Sequence, residues 1–552
     1  MIYFFIFIAI LLIFVISSFR KKDEKLKLKF RQEWGRIVEK YRDEDRIKKY
    51  AEYKEIAGHY SLPSQTLKDI DMQSLFSFLD RTITDIGQQC LYKKLVFIST
   101  SEDLKKFDQQ SETFINNIGE REEVQKILYR LEMNGTYRIV DFFNSGEMKK
   151  SSYDQLYKGL SLLMITGLIG AIFFPTILIY LIPVIAVNLS ISFIFKYRNE
   201  KKLAAVKEVY GLIKACRRLN KAGSIIDDKS IPEAILSFKS FERRFQYLNL
   251  GIPEDDFLKT LLYMIDMIKS FFLLDLHLLN SSYKKVIDAL GSLEKLYQYV
   301  GTFDMAISAA SLKSDKSIKW CKPELTTEKK VLQFTNATHP LIEQCVPNSI
   351  NLRGKSAFIT GSNMSGKSTF LRTVLINVLL AQTLYVCFAE SFTTTLMSPS
   401  SCINIDDDLL KGSSYFFMEV EVIKKMTEQI PQGTNNLFVI DEVFKGTNTV
   451  ERISLAKAIL NYLNNLNNIV IASSHDLELI SLLSSQFDMF YFSETIQDDV
   501  LYFDHTIKPG YLKTTNAIKM VALEDFPKSI VDEAYEMAGQ FKNERNEKQE
   551  LL

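Results

Sequence analysis

Residues 361–369 read Gly-Ser-Asn-Met-Ser-Gly-Lys-Ser-Thr and satisfy the spacing G-x-x-x-x-G-K-[ST]. Such a loop does one kind of chemistry. Its glycines let the backbone curl until successive N–H groups point at phosphate oxygens. Lys367 would reach the β- and γ-phosphates of a nucleoside triphosphate, and the Ser368 hydroxyl would take one position on Mg2+. A glycine- and serine-rich turn could share the composition, but not the Lys–Ser pair with both flanks in place. A second group lies at Leu437–Glu442, where four apolar residues run into Asp441 and Glu442. Asp441 would hold Mg2+, directly or through water, and Glu442 would polarise an attacking water. Paired acids after a strand can also be simple strand-end solvation. A third run, Ile469–His475, is apolar and ends in Ser473, Ser474 and His475. His475 would contact the γ-phosphate or the water, and so report nucleotide state.

The flanks supply the elements that position these groups. Ser356–Thr360 is a short apolar run of strand type, and Phe370–Leu380 carries apolar residues on a helical period. The loop therefore lies between a strand and a helix, the context the motif requires. From about Lys313 onward, short apolar strands alternate with helices such as Ile453–Leu463, the signature of an α/β domain with a largely parallel sheet.

The rest of the chain is different. It has 552 residues, enough for three or more domains, and a formal net charge of +1. No global field points to nucleic acid, so any such binding must come from a local patch. Six scattered cysteines without a C-x-x-C pair exclude a zinc ribbon or disulfide framework and fit a reducing compartment. Ile2–Ser18 is uncharged and apolar, at the short end of the range for a spanning helix. Arg20, Lys21 and Lys22 follow it, and no small-residue cleavage site does. It reads as an uncleaved anchor whose C-terminal side is cytoplasmic.

Leu160–Phe195 has no charged side chain and is too long for one span. Pro175 near its middle divides it into Leu160–Phe174 and Thr176–Phe195, a hairpin that spans or re-enters the bilayer. Lysines 149, 150 and 158 flank one end, and Lys196, Arg198, Lys201 and Lys202 the other, so both ends prefer the cytoplasm. Two long helical regions surround it. Arg217, Arg218, Lys221, Arg243 and Arg244 form basic clusters that would face phosphate, anionic lipid or solvent.

These motifs resemble those of the MutS family of DNA mismatch-repair proteins, nearly without a break from Thr338 to Ala534. His339–Pro340 is similar to the family's entry motif. Thr360–Thr369 resembles its phosphate loop, including the Asn363–Met364 pair. Asp407–Leu409 and Ser414–Glu419 resemble its signature segment, and Asp441–Glu442 with Lys445–Thr449 its Mg2+ strand and following loop. Ser474–His475 resembles its switch histidine. Leu79–Thr82 and Thr84–Gly87 resemble the start of its helical core.

The resemblance implies a set of roles. Glu442, His475 and Lys367 would be catalytic. Gly361, Ser362, Asn363, Met364, Ser365, Gly366, Lys367, Ser368, Thr369, His339, Pro340 and His505 would bind ATP, with His505 near the adenine. Ser368 and Asp441 would hold Mg2+. In the family two ATPase domains pair head to tail, so Ser414 and Asn448 would act across a homodimer. An aromatic residue that often packs on the base in the family is replaced here by Cys345–Val346.

The expected fold is multidomain, with an N-terminal transmembrane helix, an all-α MutS-like core interrupted by a transmembrane hairpin, and a C-terminal α/β P-loop ATPase domain. Along the chain this gives an anchor over 1–19, a charged helical spacer over 20–67, core over 68–158, hairpin over 159–196, core over 197–320, ATPase domain over 321–540 and a disordered tail over 541–552. The stretch before the core has no room for the family's mismatch reader and connector. The hairpin falls where its DNA-clamp arms would be. The expected protein is a multi-pass membrane ATPase with three segments and cytoplasmic soluble domains, whose ATP cycle moves helical arms. DNA is the partner the resemblance implies. A transport ATPase of ABC type is a weaker alternative, since no L-S-G-G-Q signature is present. A scaffold or tether at the membrane is another.

Overall fold

The structure is a computed structural model that describes residues 17, 21, 23–53, 59–133, 135–144, 154–221, 226, 228–245, 264–265, 267–362, 364–404, 415–430, 435–444, 447–497, 500–512, 517–523 and 526–550. The apolar run Ile2–Ser18 lies almost wholly outside the described residues. The chain forms two compact units that interleave along the sequence. One comprises Met1–Ala57, Leu79–Val96 and Lys106–Asp315, the other Gly58–Phe78, Phe97–Lys105 and Lys316–Leu552.

The first unit is helical, and four of its helices matter below: α1 (Asp85–Val96), α2 (Asp154–Phe173), α3 (Ile177–Arg198) and α4 (Leu290–Lys313). Helix α1 is buried on nearly every side, from Ile86 to Val96, and so is a core helix rather than a surface one. It packs against α4 at two glycine contacts. A Cβ on Gly87 would sit 2.2 Å from Asp304 Oδ2, and one on Gly301 would sit 2.3 Å from Cys90 Sγ. Asp304 in turn accepts the N–H groups of Ile83 at 2.8 Å and Thr84 at 2.7 Å, and the Thr84 hydroxyl at 2.7 Å. It thus fixes the backbone of the turn that leads into α1. Asp80 pairs with Lys40 and Arg42, and Arg81 with Asp315. The Leu79–Gly87 segment is therefore the hydrogen-bonded centre of this unit.

The expected spacer over 20–67 differs from what is found. Phe30, Ile47 and Tyr50 are buried, Arg31 donates to Glu122 at 2.6 Å, and Tyr50 packs on Tyr297 with centroids 4.9 Å apart. These buried residues form a packing face on the charged segment.

Helices α2 and α3 form a hairpin that turns at Phe174–Pro175–Thr176, as the proline predicts. Each is long and apolar enough to cross a membrane, and only 11% and 17% of their apolar windows are buried. A core helix of a water-soluble domain would show the reverse. Gly167 and Gly170 lie against Leu181 and Ile177 and let the two helices close on each other.

The second unit carries the sheets. Its strands are β1 (Glu324–Thr326), β2 (Val331–Ala337), β3 (Asn348–Arg353), β4 (Ser356–Thr360), β5 (Ser391–Thr395) and β6 (Ser398–Cys402). They continue with β7 (Asn436–Asp441), β8 (Ile469–Ser473), β9 (Phe487–Tyr491), β10 (Glu494–Gln497), β11 (Val500–Phe503) and β12 (Lys508–Pro509). A six-stranded sheet runs β12-β9-β4-β8-β7-β6, parallel except for β12. A four-stranded sheet runs β1-β5-β2-β3. Helices α5 (Lys367–Ala381), α6 (Tyr415–Gln429) and α7 (Thr449–Leu463) follow β4, β6 and β7 in the chain. Strands β4, β7 and β8 are buried at every residue, because a parallel sheet covered on both faces demands continuous apolar runs.

Residues 58–78 lie with this unit, so the division of the chain does not follow the expected boundary between 67 and 68. The cause is a buried carboxylate at the end of helix Ser64–Asp69. Asp69 accepts the Ser401 hydroxyl at 2.7 Å and the N–H groups of Ile403 at 3.1 Å and Asn404 at 2.9 Å. Tyr60 adds a hydrogen bond to Ser400 at 2.8 Å. A helix runs from Lys528 to Glu550, through most of the segment expected as a tail. Its Glu, Gln, Lys and Arg residues are good helix formers even without an apolar face.

Candidate functional site

Strands β4, β7 and β8 lie side by side and end at the same edge of the sheet. The groups singled out above follow their carboxyl ends, where open parallel sheets bind ligands. The loop after β4 turns at Gly361, φ +152°, and Gly366, φ +112°. A Cβ on Gly361 would come within 2.9 Å of the Phe492 carbonyl oxygen, so only glycine fits. Met364 takes φ +68° and is exposed on the loop.

Lys367 begins α5 and is buried. Its Nζ donates to the carbonyls of Gly361 and Ser362, both at 2.7 Å. The ammonium is thus held against the loop it would share with a phosphate. The Ser368 hydroxyl donates to Asp441 Oδ2, and the Ser473 hydroxyl to Asp441 Oδ1. Asp441 is joined in this way to helix α5 and to strand β8. Glu442 follows in the left-handed region at φ +56°, held by its N–H on the Ser473 carbonyl at 2.9 Å. A non-glycine residue kept there stores strain of about 1–3 kcal/mol. His475 Nδ1 lies 3.5 Å from Glu442 Oε1, and this contact raises the imidazole pKa. Arg452 grips the neighbouring Asp476 with two bonds of 2.8 and 2.7 Å.

Ser362, Met364, Gly366, Lys367, Ser368, Thr369, Asp441, Glu442 and His505 line one cavity of about 500 Å3. That volume is in the range of small-molecule sites. The donor set fits a magnesium triphosphate: a lysine and loop amides for phosphate oxygens, and a hydroxyl beside a carboxylate for the metal. His505 stands against the phosphate loop. Its Nδ1 is 3.1 Å from the Ser365 carbonyl, and its own carbonyl accepts from Asn348 at 3.0 Å.

Several expected residues lie elsewhere. His339 and Pro340 are not on the cavity wall. His339 is buried behind it, accepts from the Leu341 N–H at 3.3 Å, and burial lowers its pKa to about 4. It organises the loop whose Ile342, Gln344, Cys345 and Val346 do line the cavity. His475 is beside Glu442 rather than on the wall. Asn448 caps α7, accepting the Glu451 N–H at 3.0 Å, and is exposed. Asn363, Asp407–Leu409, Ser414, Lys445 and Gly446 lie outside the described residues.

Asn348, Gln344, Ile342, Phe370 and Thr373 were missed by sequence reasoning. Asn348 binds Val346, His505 and Ile507 together. Its only local signal is the Pro347–Asn348 turn before β3.

This arrangement defines a class: a parallel α/β domain with a phosphate-binding loop and an acidic pair at the end of the adjoining strands. Residues 357–542 match the family model of MutS domain V. The DNA mismatch repair protein MSH3 of Vanderwaltozyma polyspora is 28% identical over 281 residues, covering 47% of this chain and 27% of that protein. The DNA mismatch repair protein MutS of Leptospira interrogans is 28% identical over 284 residues, covering 49% and 33%. That of Carboxydothermus hydrogenoformans is 29% identical over 258 residues, covering 44% and 29%. The match spans about a third or less of these relatives' length, and within it the chain is a MutS-family protein.

Proposed function

We propose that this protein is a membrane-anchored ATPase of MutS type that binds and hydrolyses Mg2+–ATP at a composite site between two copies of the chain. The observation that carries the reading is the convergence of Lys367, Ser368, Asp441 and Glu442 on one cavity, with Asp441 held by hydroxyls from both sides. Ser368 and Asp441 would hold Mg2+, which neutralises charge on the β- and γ-phosphates. Lys367 would exchange its two loop carbonyls for phosphate oxygens. Glu442 would accept the proton of the attacking water, and His475 would hold Glu442 in orientation. Exposed Met364, Phe417 and Val450 supply apolar surface that a second copy would cover, with Ser414 and Asn448 reaching the partner's phosphates.

The exposed apolar hairpin supports anchoring in a bilayer, with the flanking lysines and arginines on the cytoplasmic side. DNA is the partner that the names of the relatives suggest, and the basic helices of the first unit are where phosphate contacts would fall. ATP turnover would then move these helices.

The test is ATP turnover by the full chain in nanodiscs, with Glu442→Gln beside it. The reading expects Mg2+-dependent hydrolysis that Glu442→Gln suppresses while nucleotide stays bound in a dimer. Unchanged turnover in that variant would remove the assignment. DNA binding with and without ATP, across a salt series, tests the partner.

A further inference from the structure

Residues 261–279 read LLYMIDMIKSFFLLDLHLL, with charge only at Asp266, Lys269 and Asp275, aside from His277. We propose that the part from Met267 to Leu274 is a further membrane-inserted element, lying along the hairpin and covered on its outer side by the acyl chains of the bilayer. The proposal rests on the membrane reading above.

The argument starts from where the hairpin's polar side chains go. Asn188 is fully buried and donates to the Phe271 carbonyl at 2.6 Å. Ser192 donates to Ser270 at 3.0 Å, and Lys196 pairs with Asp275 at 2.7 Å. On the other helix, Ser161 donates to the Phe272 carbonyl at 2.9 Å and lies 3.0 Å from His277 Nε2. Residues 188, 192 and 196 recur every four residues and form one stripe of α3. That stripe faces this segment, whereas Ile179, Ile182, Val187, Phe193 and Ile194 are exposed on the same helix.

Depth follows from helix geometry. Lys196 and Arg198 mark the charged end of α3. Asn188 lies eight residues further in, about 12 Å at 1.5 Å per residue. That is inside a hydrocarbon half-layer of about 15 Å. A carbonyl at the end of a helical turn at such a depth is tolerated only if protein satisfies it. The Phe271 and Phe272 carbonyls receive Asn188 and Ser161. On the outer side the segment presents Met267, Ile268 and Leu274, each 41–48% exposed, continuing the apolar surface of the hairpin.

The experiment adds single tryptophans to the full chain, which has two of its own, in phosphatidylcholine–phosphatidylglycerol vesicles brominated on the acyl chains. Ile268→Trp and Met267→Trp probe the segment, Ile172→Trp the hairpin tip, and Leu236→Trp an exposed apolar site away from the hairpin. The expected result is blue-shifted added emission at 267 and 268, quenched by bromine as strongly as at 172 and shielded from aqueous iodide, with 236 unquenched by bromine. Quenching at 172 without quenching at 267 and 268 would overturn the inference and leave the membrane reading standing. Blue-shifted emission at 267 and 268 that neither quencher reaches would also overturn it, since protein would then cover the segment. No quenching at 172 or at 267 and 268 would sink both.

Discussion

Asp304, inside helix α4, and Asp441, at the end of β7, are both buried carboxylates, and each receives a hydroxyl donor from a neighbouring element. Around Asp304 every partner is internal: two backbone amides, one threonine hydroxyl and the flat face offered by Gly87. No space is left beside it. Burial pushes its pKa up to about 6, and that of nearby Glu132 to about 7. Asp441 has similar partners but lines a cavity shared with Lys367 and Glu442. The same residue types serve as a fastening in the first unit and line an open cavity in the second. The difference is the room left beside the carboxylate.

The comparison can be broken by substitution. Glu442→Gln should lower turnover about 1000-fold while ATP binding persists, as loss of a general base does; steady-state kinetics beside nucleotide binding checks this. Lys367→Ala should weaken ATP binding on the order of 100-fold, read by titration calorimetry, with little change in stability. Asp304→Ala should do the opposite. Leaving the Ile83 and Thr84 amides buried without an acceptor should cost about 3 kcal/mol of first-unit stability, read by hydrogen exchange at α1, while ATP affinity holds. If Asp304→Ala instead abolished ATP binding and left stability intact, the contrast would be reversed.

A pH series sharpens the same contrast. Asp304 and Glu132 bind protons more tightly folded than unfolded. Their stabilising contribution is therefore complete below about pH 4 and lost as pH rises through 6 to 7. Hydrogen-exchange protection of the first unit should fall over that window, and Glu132→Gln should flatten the fall. The smallest effect belongs to Asn448→Ala, which removes the cap of α7 at about 1 kcal/mol; a thermal melt measures it. A loss of ATP-dependent dimerisation out of proportion to that melt would identify a role across the interface.

What was legible in the sequence was local. The loop at 361–369, the acids at 441 and 442 and the turn at Pro175 are short patterns whose backbone demands are written in neighbouring residues. The interleaving of the units was not. Asp69 reads as an ordinary helix-end acid until Ser401, Ile403 and Asn404 are brought to it from more than 300 residues away. Within the charged helical spacer expected over 20–67, Phe30 and Tyr50 are buried against Tyr129 and Tyr297, which lie far off in the chain. Asn348 joins the cavity through two loops that sequence order keeps far apart.

Residue type and spacing determined which side chains of this protein could meet a phosphate and which runs are long and apolar enough to cross a membrane. Glycine-permitted curvature, strand-end acids and uncharged apolar length are properties of adjacent residues, and short-range sterics and solvation settle them. Tertiary structure alone decided which acids face a cavity and which face only each other, and where the polar stripe of a greasy helix finds its partners. Those outcomes depend on groups distant in the chain converging at hydrogen-bond range, where displacing water makes each pairing count.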